Sequence, residues 1–139
     1  HFHLYTIEAA MAGELILIVE DDVNSRKLAR DVLHAKGYQT LEAETAEHGL
    51  VLAVERIPAL VLMDIQLPGM NGIEALKALR SRPATASIPV IAVTASVMTK
   101  QQGEIIDAGF DAVERKPISV AGLLSKIRAL LDRGPAQPA

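Results

Sequence analysis

The period of the apolar residues is what most constrains how this chain can fold. From residue 14 to residue 133 it switches repeatedly between short unbroken runs and helical spacing. The runs are Leu15–Val19 (LILIV) and residues 40–43, 60–63 (LVLM), 90–93 and 112–113. The first, third and fourth are almost wholly apolar, as strands covered on both faces of a parallel sheet should be; the second and fifth contain polar residues and suit its edges. Helical stripes fill the gaps. Leu28, Ala29, Val32 and Leu33 lead to Gly37, and Ala46, Leu50, Ala53, Val54 and Ile57 lead to Pro58. Ile73, Leu76 and Leu79 form a third stripe, and Ile105, Ile106 and Ala108 a fourth that ends at Gly109. The last begins with Ser119 as N-cap and continues through Val120, Leu123, Leu124, Ile127, Leu130 and Leu131. Five βα units in strict alternation predict a parallel sheet with right-handed crossovers and helices on both faces.

Composition narrows the function classes. A chain of 139 residues is about one domain, and it can bury a core of its own. Half of it is hydrophobic, but in runs far shorter than the roughly 20 apolar residues of a membrane span, so no membrane association is expected. The absence of cysteine removes disulfides and thiolate metal sites and suits a reducing, cytoplasmic setting. A net charge of -3 and 3% aromatic residues offer neither a basic stripe nor a stacking platform for nucleic acid.

The two ends read as attachments. Residues 1–10 (HFHLYTIEAA) have no clear period and precede Met11, which reads as a natural start, so they are expected to be an expression-tag remnant. Residues 11–133 form the expected domain, and residues 134–139 (GPAQPA) an expected disordered tail or linker.

Chemistry-bearing residues stand where strands run out. Glu20 and Asp21 follow the first run, Asp64 follows the third, Thr94 the fourth, and Lys116 lies just past the fifth, before Pro117. Strand ends of one polarity in a parallel sheet share an edge, which gathers these residues in space. Two like charges about 4 Å apart cost on the order of 4 kcal/mol at an effective dielectric near 20. A shared proton, an ammonium or a divalent cation could offset that cost. Lys116 balances one charge of three, which leaves room for magnesium; oxygen-only ligands favour magnesium or manganese over zinc. A carboxylate beside such a cation and a lysine is also suited to phosphoryl transfer, with Asp64 as nucleophile. Thr94 could donate to a phosphoryl oxygen, and small Ala95 leaves the approach open.

The segments at residues 15–22 (LILIVEDD), 62–72 (LMDIQLPGMNG), 90–95 (VIAVTA) and Lys116-Pro117 resemble, in order and spacing, the receiver domains of two-component response regulators. The resemblance spans residues 14–133. It implies a flavodoxin-like (βα)5 three-layer α/β sandwich with a five-stranded parallel sheet of order 2-1-3-4-5. It also implies that Asp64 accepts phosphate from a histidine kinase or histidine phosphotransfer protein. Asp21 would bind magnesium directly, Glu20 through water, and the Gln66 carbonyl would be a backbone ligand. Thr94 and Lys116 would hold the phosphoryl group, with Ala95 beside it and a cis Lys116-Pro117 bond.

Two features depart from the family pattern. Asp22 extends the acidic pair, so the register in which Asp21 and Asp22 face the metal stays open beside the assigned Glu20 and Asp21. Val113 stands where the family often has an aromatic that swings inward on phosphorylation, which puts the usual coupled switch in doubt.

The expected function is a phosphorylation switch with no turnover beyond self-phosphorylation and dephosphorylation. Phosphate on Asp64 would draw in Thr94 and residues 96–102, reshaping the surface of the fourth helix, fifth strand and fifth helix that a downstream protein reads. A haloacid-dehalogenase-like phosphatase is the enzyme alternative, although the place of its second Asp holds Gln66. An interaction module that is never phosphorylated is the third. His34 and His48 fall on predicted helices and read as surface residues; Gly69, Gly72 and Gly109 read as turn and helix-end glycines. No output domain follows Arg133, so the chain is expected to be free-standing rather than excised from a larger kinase.

Overall fold

The computed structural model describes residues 13–95 and 99–133, with the side chains at 99 and 100 left aside. Both expected attachments lie outside these residues, as do residues 96–98 of the segment expected to open the fourth helix. The elements alternate strictly: β1 (Leu15–Val19), α1 (Val23–Ala35), β2 (Gln39–Ala43), α2 (Ala46–Arg56), β3 (Leu60–Asp64), α3 (Gly72–Arg80), β4 (Val90–Thr94), α4 (Thr99–Asp107), β5 (Ala112–Arg115) and α5 (Val120–Arg133). All neighbouring strands are parallel, in the order β2-β1-β3-β4-β5. This is the flavodoxin-like three-layer sandwich, with the two polar-containing strands at its edges.

Alternation within the strands divides the core in two. Leu17, Val19, Val61, Met63, Val90 and Ala92 pack beneath α2, α3 and α4. Ile16, Ile18, Leu60, Leu62, Ile91 and Val93 pack beneath α1 and α5. β1 is therefore apolar throughout, and β3 and β4 up to their last residues, Asp64 and Thr94, since both their faces are covered.

The helical stripes are wider than the faces they bury. Leu28, Val54, Ile57, Ile106 and Val120 are exposed, whereas Ala29, Leu33, Ala53, Ile105 and Leu123 are buried. Adjacent helical residues point about 100° apart, and of the pair Leu28 and Ala29 only Ala29 faces the sheet. The second helix ends one residue before Pro58, on Ile57 at φ 43°, an uncommon conformation for a β-branched residue.

Candidate functional site

The C-terminal edge of the sheet gathers the expected residues. Backbone pairing continues past β1, where the Glu20 N–H donates to the Ala43 carbonyl at 3.0 Å. The Arg26 guanidinium from α1 donates to the Glu20 carbonyl at 2.9 Å and pairs with Glu42 at 3.3 Å. Asp22 is exposed and caps α1, its Oδ2 accepting the Ser25 N–H at 2.7 Å, and these bonds hold its carboxyl below the usual range. A side chain used as a cap cannot also face the pocket in this conformation. Glu20 and Asp21, rather than Asp21 and Asp22, stand beside Asp64.

Asp64 is the last residue of β3 and pairs with Val93 of β4. The chain then folds back: the Ile65 N–H meets the Val93 carbonyl at 3.0 Å and the Gly72 N–H meets the Ile65 carbonyl at 3.2 Å. Gly69 sits at φ 76° in this loop, where glycine carries no Cβ penalty. Asn71 and Glu74 then form a reciprocal capping box that opens α3. Gly72 has a different constraint from the turn role expected of it. A Cβ there would stand 2.6 Å from the Asp64 carbonyl oxygen and 2.9 Å from Ile65 Cα, so only glycine lets α3 start this close to the acidic residue.

Glu20, Asp21 and Asp64 each place a carboxylate oxygen within 4.8 Å of the others, with Glu20 and Asp64 buried and Asp21 exposed. Lys116 Nζ lies 2.6 Å from Glu20 Oε1 and 3.3 Å from Asp64 Oδ2. The remaining carboxylate oxygens take backbone donors: Asp22 N–H to Glu20 Oε2 at 3.1 Å, and Gln66 N–H to Asp64 Oδ1 at 2.9 Å. Burial, followed by the bond shared with Asp64, pushes the Glu20 carboxyl above its ordinary range against the pull of Lys116 and the Asp22 N–H. Burial pushes the Lys116 ammonium down, but the Glu20 bond and the charges of Asp64 and Glu20 leave it raised. Among the described residues one ammonium pairs with two carboxylates of this cluster of three, and every acidic donor is a hard oxygen. The donor set fits a small divalent cation such as magnesium.

Thr94 closes β4, is buried, and accepts the Lys116 N–H on its carbonyl at 2.8 Å. With Gln66, Ile73, Glu104 and Ile105 it lines an open depression of about 210 Å³ between the β3–α3 loop and α4. Ala95, just past the strand, is exposed. The Lys116-Pro117 bond is cis. Val113 is half-buried against the core under α2, α3 and α4. His34 and His48 are exposed on α1 and α2.

Two residues close to the site escape a reading of the sequence. Arg26 carries no local signal, because its partners Glu20, Glu42 and Glu44 come from other elements. Glu114 is buried, and period two along β5 could have pointed to it: it shares a face with Ala112, which packs on the core under α1 and α5.

Comparison with known proteins agrees with this geometry. Residues 16–128 match the family model described as the response regulator receiver domain. The chain is 41% identical over 116 residues to the polar-differentiation response regulator DivK of Brucella ovis, a match covering 84% of this chain and 94% of that protein. The crystal structure of a response regulator from Desulfuromonas acetoxidans superposes with a TM-score of 0.81 at 25% identity, covering 87% of this chain and 98% of that one. The receiver domain of a sensor histidine kinase from Pseudomonas aeruginosa, which has magnesium coordinated in its active-site cleft, superposes with a TM-score of 0.81 at 24% identity, covering 86% and 98%. The chain therefore belongs to the response regulator receiver domains, the switch modules of two-component signalling.

Proposed function

We propose that Asp64 is the phosphoacceptor of this receiver domain, and that Glu20, Asp21, Asp64 and the Gln66 carbonyl hold magnesium, with manganese as a substitute. The observation that carries this is the deficit of positive charge among the described residues: three carboxylates cluster within 4.8 Å, and Lys116 pairs with two of them, Glu20 at 2.6 Å and Asp64 at 3.3 Å. The magnesium in the cleft of the Pseudomonas receiver domain supports the choice of metal.

The donor is the phosphohistidine of a histidine kinase or histidine phosphotransfer protein. An Asp64 carboxylate oxygen attacks phosphorus, the P–N bond breaks, and the imidazole leaves with the electron pair and takes a proton from solvent. An acyl phosphate remains on Asp64, labile enough to be hydrolysed later. Lys116 stands beside the attacking carboxylate and neutralises charge on the incoming group. Magnesium held by Glu20, Asp21, Asp64 and the Gln66 carbonyl would supply further positive charge for the same step. The Thr94 hydroxyl donates to a phosphoryl oxygen, and Ala95 leaves room for it.

Thr94 lines one depression with Gln101, Glu104 and Ile105 of α4, so a shift at Thr94 is felt by that helix. The face of α4, β5 and α5 is then what a downstream protein reads in the cytoplasm. Asp64→Asn keeps the shape and removes the nucleophile, and should lower labelling by acetyl phosphate with magnesium by at least about 100-fold. Labelling of that variant at the wild-type level would overturn the assignment.

A further inference from the structure

β5 carries a buried carboxylate that the phosphoryl chemistry leaves unused. Glu114 is 3% exposed and faces α1 and α5, its register partner Val93 belonging to that core. A lone carboxylate there would be costly, and two donors compensate it. Ser119 N–H reaches Oε2 at 3.1 Å, and Lys126 Nζ reaches Oε1 at 2.7 Å. Ser119 in turn caps α5, its Oγ accepting the Gly122 N–H at 3.2 Å.

The segment between the two hydrogen-bonded residues is the one that carries Lys116. Upstream, the Lys116 N–H is fixed to the Thr94 carbonyl at 2.8 Å. Downstream, the first turn of α5 has little apolar hold on the sheet: Ser119 and Val120 are exposed, and the first buried side chain of the helix is Leu123. Ile118 packs half-buried against the core and sets the depth of the loop. The bond from Ser119 to Glu114 ties the end of that loop back to the strand from which Lys116 emerges.

We propose that Glu114 is a positioning residue for Lys116: by clasping the Ser119 N–H it holds the β5–α5 loop so that the ammonium meets Asp64. Lys126, half-buried on α5, is the charge partner that makes the buried carboxylate tolerable. The proposal rests on Asp64 being the phosphoacceptor and deepens that assignment.

The test is phosphorylation by acetyl phosphate with magnesium, read as the rate constant at saturating donor, the half-saturating donor concentration and the magnesium affinity. Glu114→Leu combined with Lys126→Leu removes the clasp without leaving either charge buried alone, a replacement that folded proteins often tolerate. Its rate constant should fall about tenfold while magnesium affinity is kept, because misplacing one charged group slows the step without removing a metal ligand. Glu114→Gln keeps an oxygen for the Ser119 N–H and should rescue the rate to within about twofold, though at lower thermal stability for want of the charged bond. A double variant that labels at the wild-type rate, or loses magnesium affinity in parallel with rate, overturns the proposal. So does a Glu114→Gln variant about tenfold slower than wild type, an outcome that is read against wild type and so stands even if the double variant does not fold. Wild type and Asp64→Asn run alongside: an unlabelled wild type, or a labelled Asp64→Asn, would instead sink the phosphoacceptor assignment itself.

Discussion

The two edges of the sheet use the same residue types to opposite effect. At the N-terminal edge, acidic residues meet a surplus of donors. Glu14 takes both Nη atoms of Arg128, at 3.1 and 3.2 Å, and Arg128 also reaches the Tyr38 hydroxyl. Asp111 takes Arg80 at 3.0 Å, Arg133 at 3.1 Å and the Val90 N–H at 2.8 Å. Arg80 continues to the Ala86 and Ile88 carbonyls and ties the end of α3 to the entry of β4. At the C-terminal edge Glu20, Asp21 and Asp64 cluster, and Lys116 pairs with Glu20 and Asp64 alone. A carboxylate at a strand end is thus a fastener where guanidinium groups match it, and a reactive or metal-binding group where they do not.

The largest expected effect probes how tightly the acidic edge is built. Gly72→Ala drives a Cβ against the backbone of Asp64 and Ile65, which cannot rotate away as a side chain could. It should destabilise by about 3 kcal/mol in a urea titration and slow labelling as well, because relief requires Asp64 to move. Wild-type stability in this variant would show that the loop has slack. Arg80→Met addresses the other edge. The loss of charge-assisted bonds from a side chain 28% exposed should cost about 2 kcal/mol, with labelling of the folded protein unchanged. If that variant also failed to label, the division between a fastened edge and a reactive edge would not hold.

What was legible in the sequence follows the same division. Glu20, Asp21, Asp64, Thr94 and Lys116 could be read because each marks the end of an apolar run, and a parallel sheet converts ends of runs into neighbours. The edge strands could be read because β2 and β5 break the apolar pattern. Period alone left open which two acids of the Glu20, Asp21, Asp22 run stand beside Asp64; Asp22 is instead engaged as the cap of α1 by the Ser25 N–H. Arg80 with Asp111, Arg128 with Glu14, and Glu114 with Lys126 were not legible. Such pairs depend on which helix turn lies over which strand, a relation that hydrophobic spacing does not encode. Gly72 reads as a turn glycine because its constraint, the backbone of Asp64 and Ile65 at the start of the loop, is brought beside it only when the loop folds back.

The smallest effect is read by its sign. In the unfolded chain Glu20 ionises near the ordinary value of 4.5, and in the folded protein burial and Asp64 raise it above that. Between those two points the folded state holds more protons than the unfolded state, so this group's contribution to stability falls as pH rises through the window. A fastened carboxylate whose folded value is depressed gives the opposite slope. Lys116, raised above 10.5, adds stability that is lost only in alkali and leaves the acid window to Glu20. Magnesium favours the ionised carboxylates, so saturating magnesium should remove the slope and add about 2.7 kcal/mol at 100 times its dissociation constant. The measurement is a set of urea titrations between about pH 5 and 7.5 of wild type and Glu20→Gln, with and without magnesium. Without the metal, the advantage of Glu20→Gln over wild type should grow toward neutral pH. An advantage that shrinks over that range would mean the charge of Glu20 is already matched by donors, and that the acidic edge has no unmet charge to offer a cation.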